Sequence, residues 1–173
     1  ILQLVELRKL DLEDKVQKHL SWFKSDGDRS LKEITIRQLL IHCSGLKRDG
    51  DTPHWVTGEV PTGDELKKCI RNRPSAFSPM ETFKYSNFGY GILGEIIAQV
   101  SGMKYEDYIK KNITDKLGLS RTSSVLTNSI KNNLALGYSL DIPGKEREAY
   151  KHLETKAFAP AAGFSSTVED LCK

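Results

Sequence analysis

The stretch from Phe83 to Gly102, "FKYSNFGYGILGEIIAQVSG", constrains this chain more than any other. Ile92, Leu93, Ile96, Ile97 and Val100 recur at helical spacing and Gly102 ends the run. The pattern predicts a helix from Asn87 to Val100, buried on at least one side. Tyr85, Ser86 and Asn87 stand at its start. Read from the residues alone, the triplet is a helix start: Ser86 or Asn87 accepts bonds from the first free backbone N–H groups, and Tyr85 packs as a staple. A chemical reading demands more. A phenol near pKa 10 is a poor base at neutral pH unless a neighbouring cation holds it as phenolate, so a lysine and a nucleophile must lie close by. Gly89, Gly91 and Gly94 lack the preceding strand and the spacing of a nucleotide site, which points to close helix packing.

The rest of the chain, 173 residues in all, has the length of one domain with a sizeable core. Ile1, Leu4 and Val5 share a helical face, and Val16, Leu20 and Phe23 point inward from a second amphipathic stretch. Thr35 with Gln38, and Thr62 with Glu65, have capping-box spacing. The first box opens a helix that Gly45 should stop, and the second opens one ending near Arg73, before Pro74. Residues 47–63 read as a long loop, with Trp55 tucked against the body. Residues 121–158 are the least patterned part; "LALGYSLD" suggests a short strand and "PGKERE" a turn. Thr167 reads as an N-cap. The start inside an apolar pattern and the short last helix suggest a piece of a longer protein, truncated at both ends.

Several function classes fit poorly. A formal charge of +3, with lysines scattered among acids, gives no stripe for nucleic acid. No apolar run is long enough to span a bilayer, and the first residues carry no export signal. Cys43, Cys69 and Cys172 have no CxxC pairing, and His19, His42, His54 and His152 are dispersed, so no metal site is expected; the cysteines read as buried small hydrophobes and the histidines as surface or structural. Three S-x-x-K pairs occur, Ser21/Lys24, Ser44/Lys47 and Ser101/Lys104, but none begins a buried helix that would hold serine and lysine on one face.

Four segments, in order, resemble the serine β-lactamase and penicillin-binding protein family, in particular its class C-like branch with DD-peptidases, D-aminopeptidases and esterases. "ILQLVELRKLDLEDKV" is similar to the segment after that family's S-x-x-K helix start, and "ITIRQLLIHCSGL" to its "ITIRHLLTHTSGL". "FKYSNFGYGILGEIIAQVSG" is similar to its Tyr-x-Asn motif with the following helix, and "PAAGFSSTVEDL" to its "AGGLxSTAxDL" segment. Four departures are visible: Cys43 for a usual Thr, Arg8 for a usual Gly, Lys15 for a usual Pro, and Met80 where Pro-Gly is common.

The resemblance implies a hydrolase, β-lactamase, DD-peptidase or esterase, working through an acyl-enzyme and needing no cofactor. Tyr85 would assist proton transfer, and Asn87 would bind the substrate's acyl amide and the catalytic lysine; Gly163 would be structural. The substrate would be a β-lactam, a D-Ala-D-Ala peptide or an ester. By the family's spacing, the S-x-x-K pair is expected roughly ten residues before Ile1 and the Lys-Thr-Gly strand beyond Lys173. Residues 1–173 are then one mainly α unit, the helical part of an α+β fold without most of its antiparallel sheet, inactive alone, and able to self-associate through the apolar face left open. An extracytoplasmic location is also implied. The alternative is a non-catalytic domain of this fold that binds a peptide or glycan.

Overall fold

The computed structural model describes residues 1–51, 57–72 and 75–173. The expectations for Trp55 and His54, and for a helix end at Arg73 and Pro74, fall outside these. Along the chain run α1 (Leu2–Glu6), α2 (Val16–His19), a 3₁₀ turn (Arg29–Glu33), α3 (Ile36–Leu40), α4 (Gly63–Arg71) and α5 (Asn87–Ser101). They are followed by α6 (Tyr105–Ile109), a wider π-type segment (Lys110–Thr114), α7 (Asn128–Lys131), a 3₁₀ turn (Lys156–Phe158), α8 (Ala159–Ala162) and α9 (Val168–Leu171).

Helix α5 is the axis of the core. Phe88, Ile92, Leu93, Ile96 and Ile97 are buried along it, and Gly102, in the left-handed conformation at φ 70°, ends it as the sequence predicts. Around it pack Leu4, Val16, Leu20, Phe23, Leu39 and Leu66. Two of its glycines admit close neighbours. A Cβ on Gly94 would lie 2.3 Å from Pro160 Cγ and one on Gly91 2.7 Å from Leu66 Cδ1, whereas on Gly89 the nearest atom would be 3.4 Å away, an ordinary contact. Both capping boxes form, at Thr35/Gln38 and Thr62/Glu65, and Thr167 caps α9 through Asp170 N–H. Gly163 is structural through crowding: its Cβ would meet the Ser124 carbonyl at 2.3 Å.

The mainly α class expected from the sequence needs correction. Most helices here are only four or five residues long, and extended segments meet in antiparallel bridges, Lys15 with Thr35, Leu46 with Ser75, Ser123 with Ser165 and Tyr138 with Ala149. The last of these is the strand-like pairing suggested by "LALGYSLD", closed around a turn at Gly144. Apolar periodicity reports helices because it is local, whereas pairing joins segments far apart in sequence and leaves little trace in either. Two more expectations change. Helix α3 stops at Leu40, five residues before Gly45, and Cys172 is exposed, with Cys43 and Cys69 half-buried and all three thiols free.

Two departures from the family pattern have a visible backbone cost. Arg8 and Met80, which stand where glycine is usual, keep positive φ values of 53° and 66°. Non-glycine side chains in this region are strained by about 1–2 kcal/mol each.

Candidate active site

Helix α5 begins by dividing three adjacent side chains among three tasks. Ser86 is the N-cap: its Oγ accepts the Gly89 N–H at 2.9 Å and donates to the Lys47 carbonyl at 2.8 Å. Capping is thereby complete without its neighbours. Asn87, the first helical residue, is 5% exposed and donates from Nδ2 to Asp49 Oδ1 at 2.6 Å. Tyr85 is 47% exposed, and its hydroxyl makes no hydrogen bond among the described residues. The staple expected for Tyr85 is therefore not a burial device here.

Residues 42–49 form the wall behind this turn. His42 holds a positive φ of 58°, and its ring stacks on Tyr90 at 4.9 Å, with Tyr85 tilted against it at 4.6 Å and Phe83 edge-on at 5.8 Å. Its Nδ1 accepts the Ser86 N–H at 3.2 Å, which places the ring proton on Nε2. The Lys84 N–H donates to the His42 carbonyl at 2.8 Å and the Phe88 N–H to the Arg48 carbonyl at 3.0 Å, so the two segments are laced together. Arg48 sits over the Tyr85 ring, its guanidinium carbon 5.8 Å from the ring centre, with Nε 3.4 Å from Asp49 Oδ2. Gly45 lets the wall pass close to residues 76–78: its carbonyl accepts the Ala76 and Phe77 N–H groups at 2.8 and 3.2 Å.

Burial pushes the His42 imidazole below its ordinary pKa. A group lowered in this way binds protons more readily unfolded, so stability falls as pH drops through the ordinary value, about 6.5, towards the folded one, and levels off below it. Asparagine tolerates positive φ and does not titrate there. His42→Asn is expected to flatten the loss of unfolding midpoint between about pH 7 and 5; equal slopes in both proteins would assign that loss elsewhere.

Sequence reading singled out Tyr85 and Asn87, which stand together at the start of α5, and did not report what surrounds them. His42, Arg48 and Asp49 come from a segment about forty residues away, and no spacing rule reports such a partnership. None of the three S-x-x-K pairs lies within one helix. Ser44 Oγ accepts the Leu46 N–H at 3.4 Å while Lys47 pairs with Asp51 at 2.7 Å, and Ser101 Oγ accepts the Met103 N–H at 3.2 Å. Among the described residues no group of three or more His, Cys, Asp or Glu side chains could hold a metal ion.

Known proteins are similar to this chain in sequence and in fold. The chain is 31% identical over 173 residues to Protein flp of Staphylococcus aureus (strain N315), covering 99% of this chain and 34% of that protein. It therefore spans about a third of the length of the curated relatives it matches. FmtA from Staphylococcus aureus superposes with a TM-score of 0.80 at 25% identity, over 98% of this chain and 45% of FmtA. A class C β-lactamase mutant superposes at 0.76 with 23% identity, over 98% and 43%, which shows the fold. These superpositions complete the correction of the fold class: nearly all of this chain lies within full β-lactamase folds, so it is part of that fold and not a mainly α class of its own. The family model described as Beta-lactamase matches residues 1–173 from end to end, and the chain belongs to the Beta-lactamase family.

Proposed function

We propose that residues 1–173 contribute Tyr85 and Asn87 to the active site of a penicillin-recognising serine hydrolase that works through an acyl-enzyme, the serine being supplied by sequence outside this chain. The observation that carries this reading is the division of labour at α5. Ser86 caps the helix alone, which leaves an exposed phenol and a held carboxamide two residues apart on one turn. The serine Oγ attacks the acyl carbon as its proton passes to the Tyr85 oxygen, which takes it up as a phenolate beside the cation of the catalytic lysine, and the phenol so formed gives that proton to the departing amine or alcohol. Water then cleaves the ester by the same route in reverse. Asn87 binds the acyl amide while this happens.

The substrate class is an acyl compound: a β-lactam, a D-Ala-D-Ala peptide or an ester. Exposed Leu2, Leu7, Val168 and Leu171 support self-association of the chain when it stands alone. Residues 1–173 by themselves are inactive in this reading, since removing the nucleophile removes the covalent route. Fluorescent penicillin, with the adduct read by mass spectrometry, is expected to label the full-length protein and not the 173-residue chain. Label on neither would favour a non-catalytic domain that binds a peptide or glycan. Label on the shorter chain would mean that one of its own serines is the nucleophile.

A further inference from the structure

Asn87 can recognise an acyl group only if its carboxamide is held one way round. The two ends of a carboxamide have nearly the same shape, so packing does not choose between them. Asp49 does choose. Its Oδ1 lies 2.6 Å from the Asn87 amide nitrogen, and an ionised carboxylate only accepts hydrogen bonds, so the flipped amide would set oxygen against oxygen at that distance. Arg48 Nε lies 3.4 Å from the other carboxylate oxygen, so both oxygens of Asp49 face donors.

The backbone holds the two residues in register. The Phe88 N–H to Arg48 carbonyl bond at 3.0 Å and the Ser86 Oγ to Lys47 carbonyl bond at 2.8 Å pin the segment bearing Asp49 to the first turn of α5. We propose that Asp49 is a positioning residue that fixes the Asn87 carboxamide, resting on the function proposed above. One amide N–H is spent on Asp49. Asn87 then presents its Oδ1 as an acceptor for an ammonium or N–H donor and its second N–H as a donor to an acyl carbonyl.

A residue that acts only through Asn87 has no effect once Asn87 is gone, and that is the test. In the full-length protein, Asp49→Ala is expected to slow acylation by fluorescent penicillin about tenfold or more, and Asn87→Ala further still. The double variant should be no slower than Asn87→Ala alone. Multiplied effects, or an unaffected Asp49→Ala, would overturn the proposal. Should Asp49→Ala fail to fold, Asp49→Asn replaces it, keeping the shape while losing the acceptor-only face. The same cycle is run on unfolding midpoints. A wild type that takes no label would count against the proposed function instead, and the midpoint cycle would then decide the pairing: non-additive shifts support it and additive shifts refute it.

Discussion

Tyr85→Phe in the full-length protein is expected to slow acylation by fluorescent penicillin by about 10²–10⁴-fold, the usual worth of a positioned acid–base group, with little change in the unfolding midpoint. The substitution removes one oxygen and keeps everything the ring does. Phenylalanine can still lean on His42 at 4.6 Å and lie beneath the Arg48 guanidinium at 5.8 Å. The lost hydroxyl has no hydrogen bond among the described residues and stands on a side chain about half exposed. Its removal should therefore cost no more than about 0.5 kcal/mol of stability. A large kinetic loss with so small a structural one is the signature of chemistry. If acylation fell by less than about threefold, Tyr85 would have no part in proton transfer, and the triplet would be a helix start and little more.

Gly45→Ala is expected to be the most damaging single-methyl change near the site, costing at least about 3 kcal/mol. Two effects add. The backbone sits at φ 77°, which alone strains an L side chain by about 1–2 kcal/mol, and the new Cβ would fall 2.1 Å from the Phe77 carbonyl oxygen. That oxygen belongs to the backbone, so a rotamer change cannot relieve the clash. Gly50→Ala is the matched control. It has a similar φ of 71°, but its Cβ would meet nothing closer than a Phe88 side-chain carbon at 3.4 Å. The control should cost the strain alone, about 1–2 kcal/mol. Equal losses in the two variants, measured by denaturant unfolding, would show that the close approach of Gly45 to Phe77 contributes nothing. Because Gly45 lies between His42 and Asp49, the surviving folded fraction of Gly45→Ala should also acylate more slowly.

What sequence can report is bounded by distance along the chain. The two capping boxes, the glycine stop at 102, the apolar face of α5 and the Thr167 cap all formed as read, since each rests on residues within one or two helical turns of each other. Four ordered motifs identified the family and singled out Tyr85 and Asn87. The stop at Gly45 failed for the opposite reason: a glycine read as a helix end is there for a neighbour more than thirty residues away, the Phe77 carbonyl.

Which residue of the triplet caps the helix was beyond the sequence. Ser86 and Asn87 are both good caps, and local propensity does not choose between them. The choice comes from the wall at 42–49, which offers Lys47's carbonyl to Ser86, Asp49's carboxylate to Asn87 and the His42 ring to Tyr85. The fold class needed tertiary structure for the same reason. Helices arise from contacts three and four residues apart, so the sequence by itself determined the span of α5 and the capped starts of α3, α4 and α9. Bridges and a buried asparagine's partner depend on segments that only folding brings together, and these the tertiary structure alone decided.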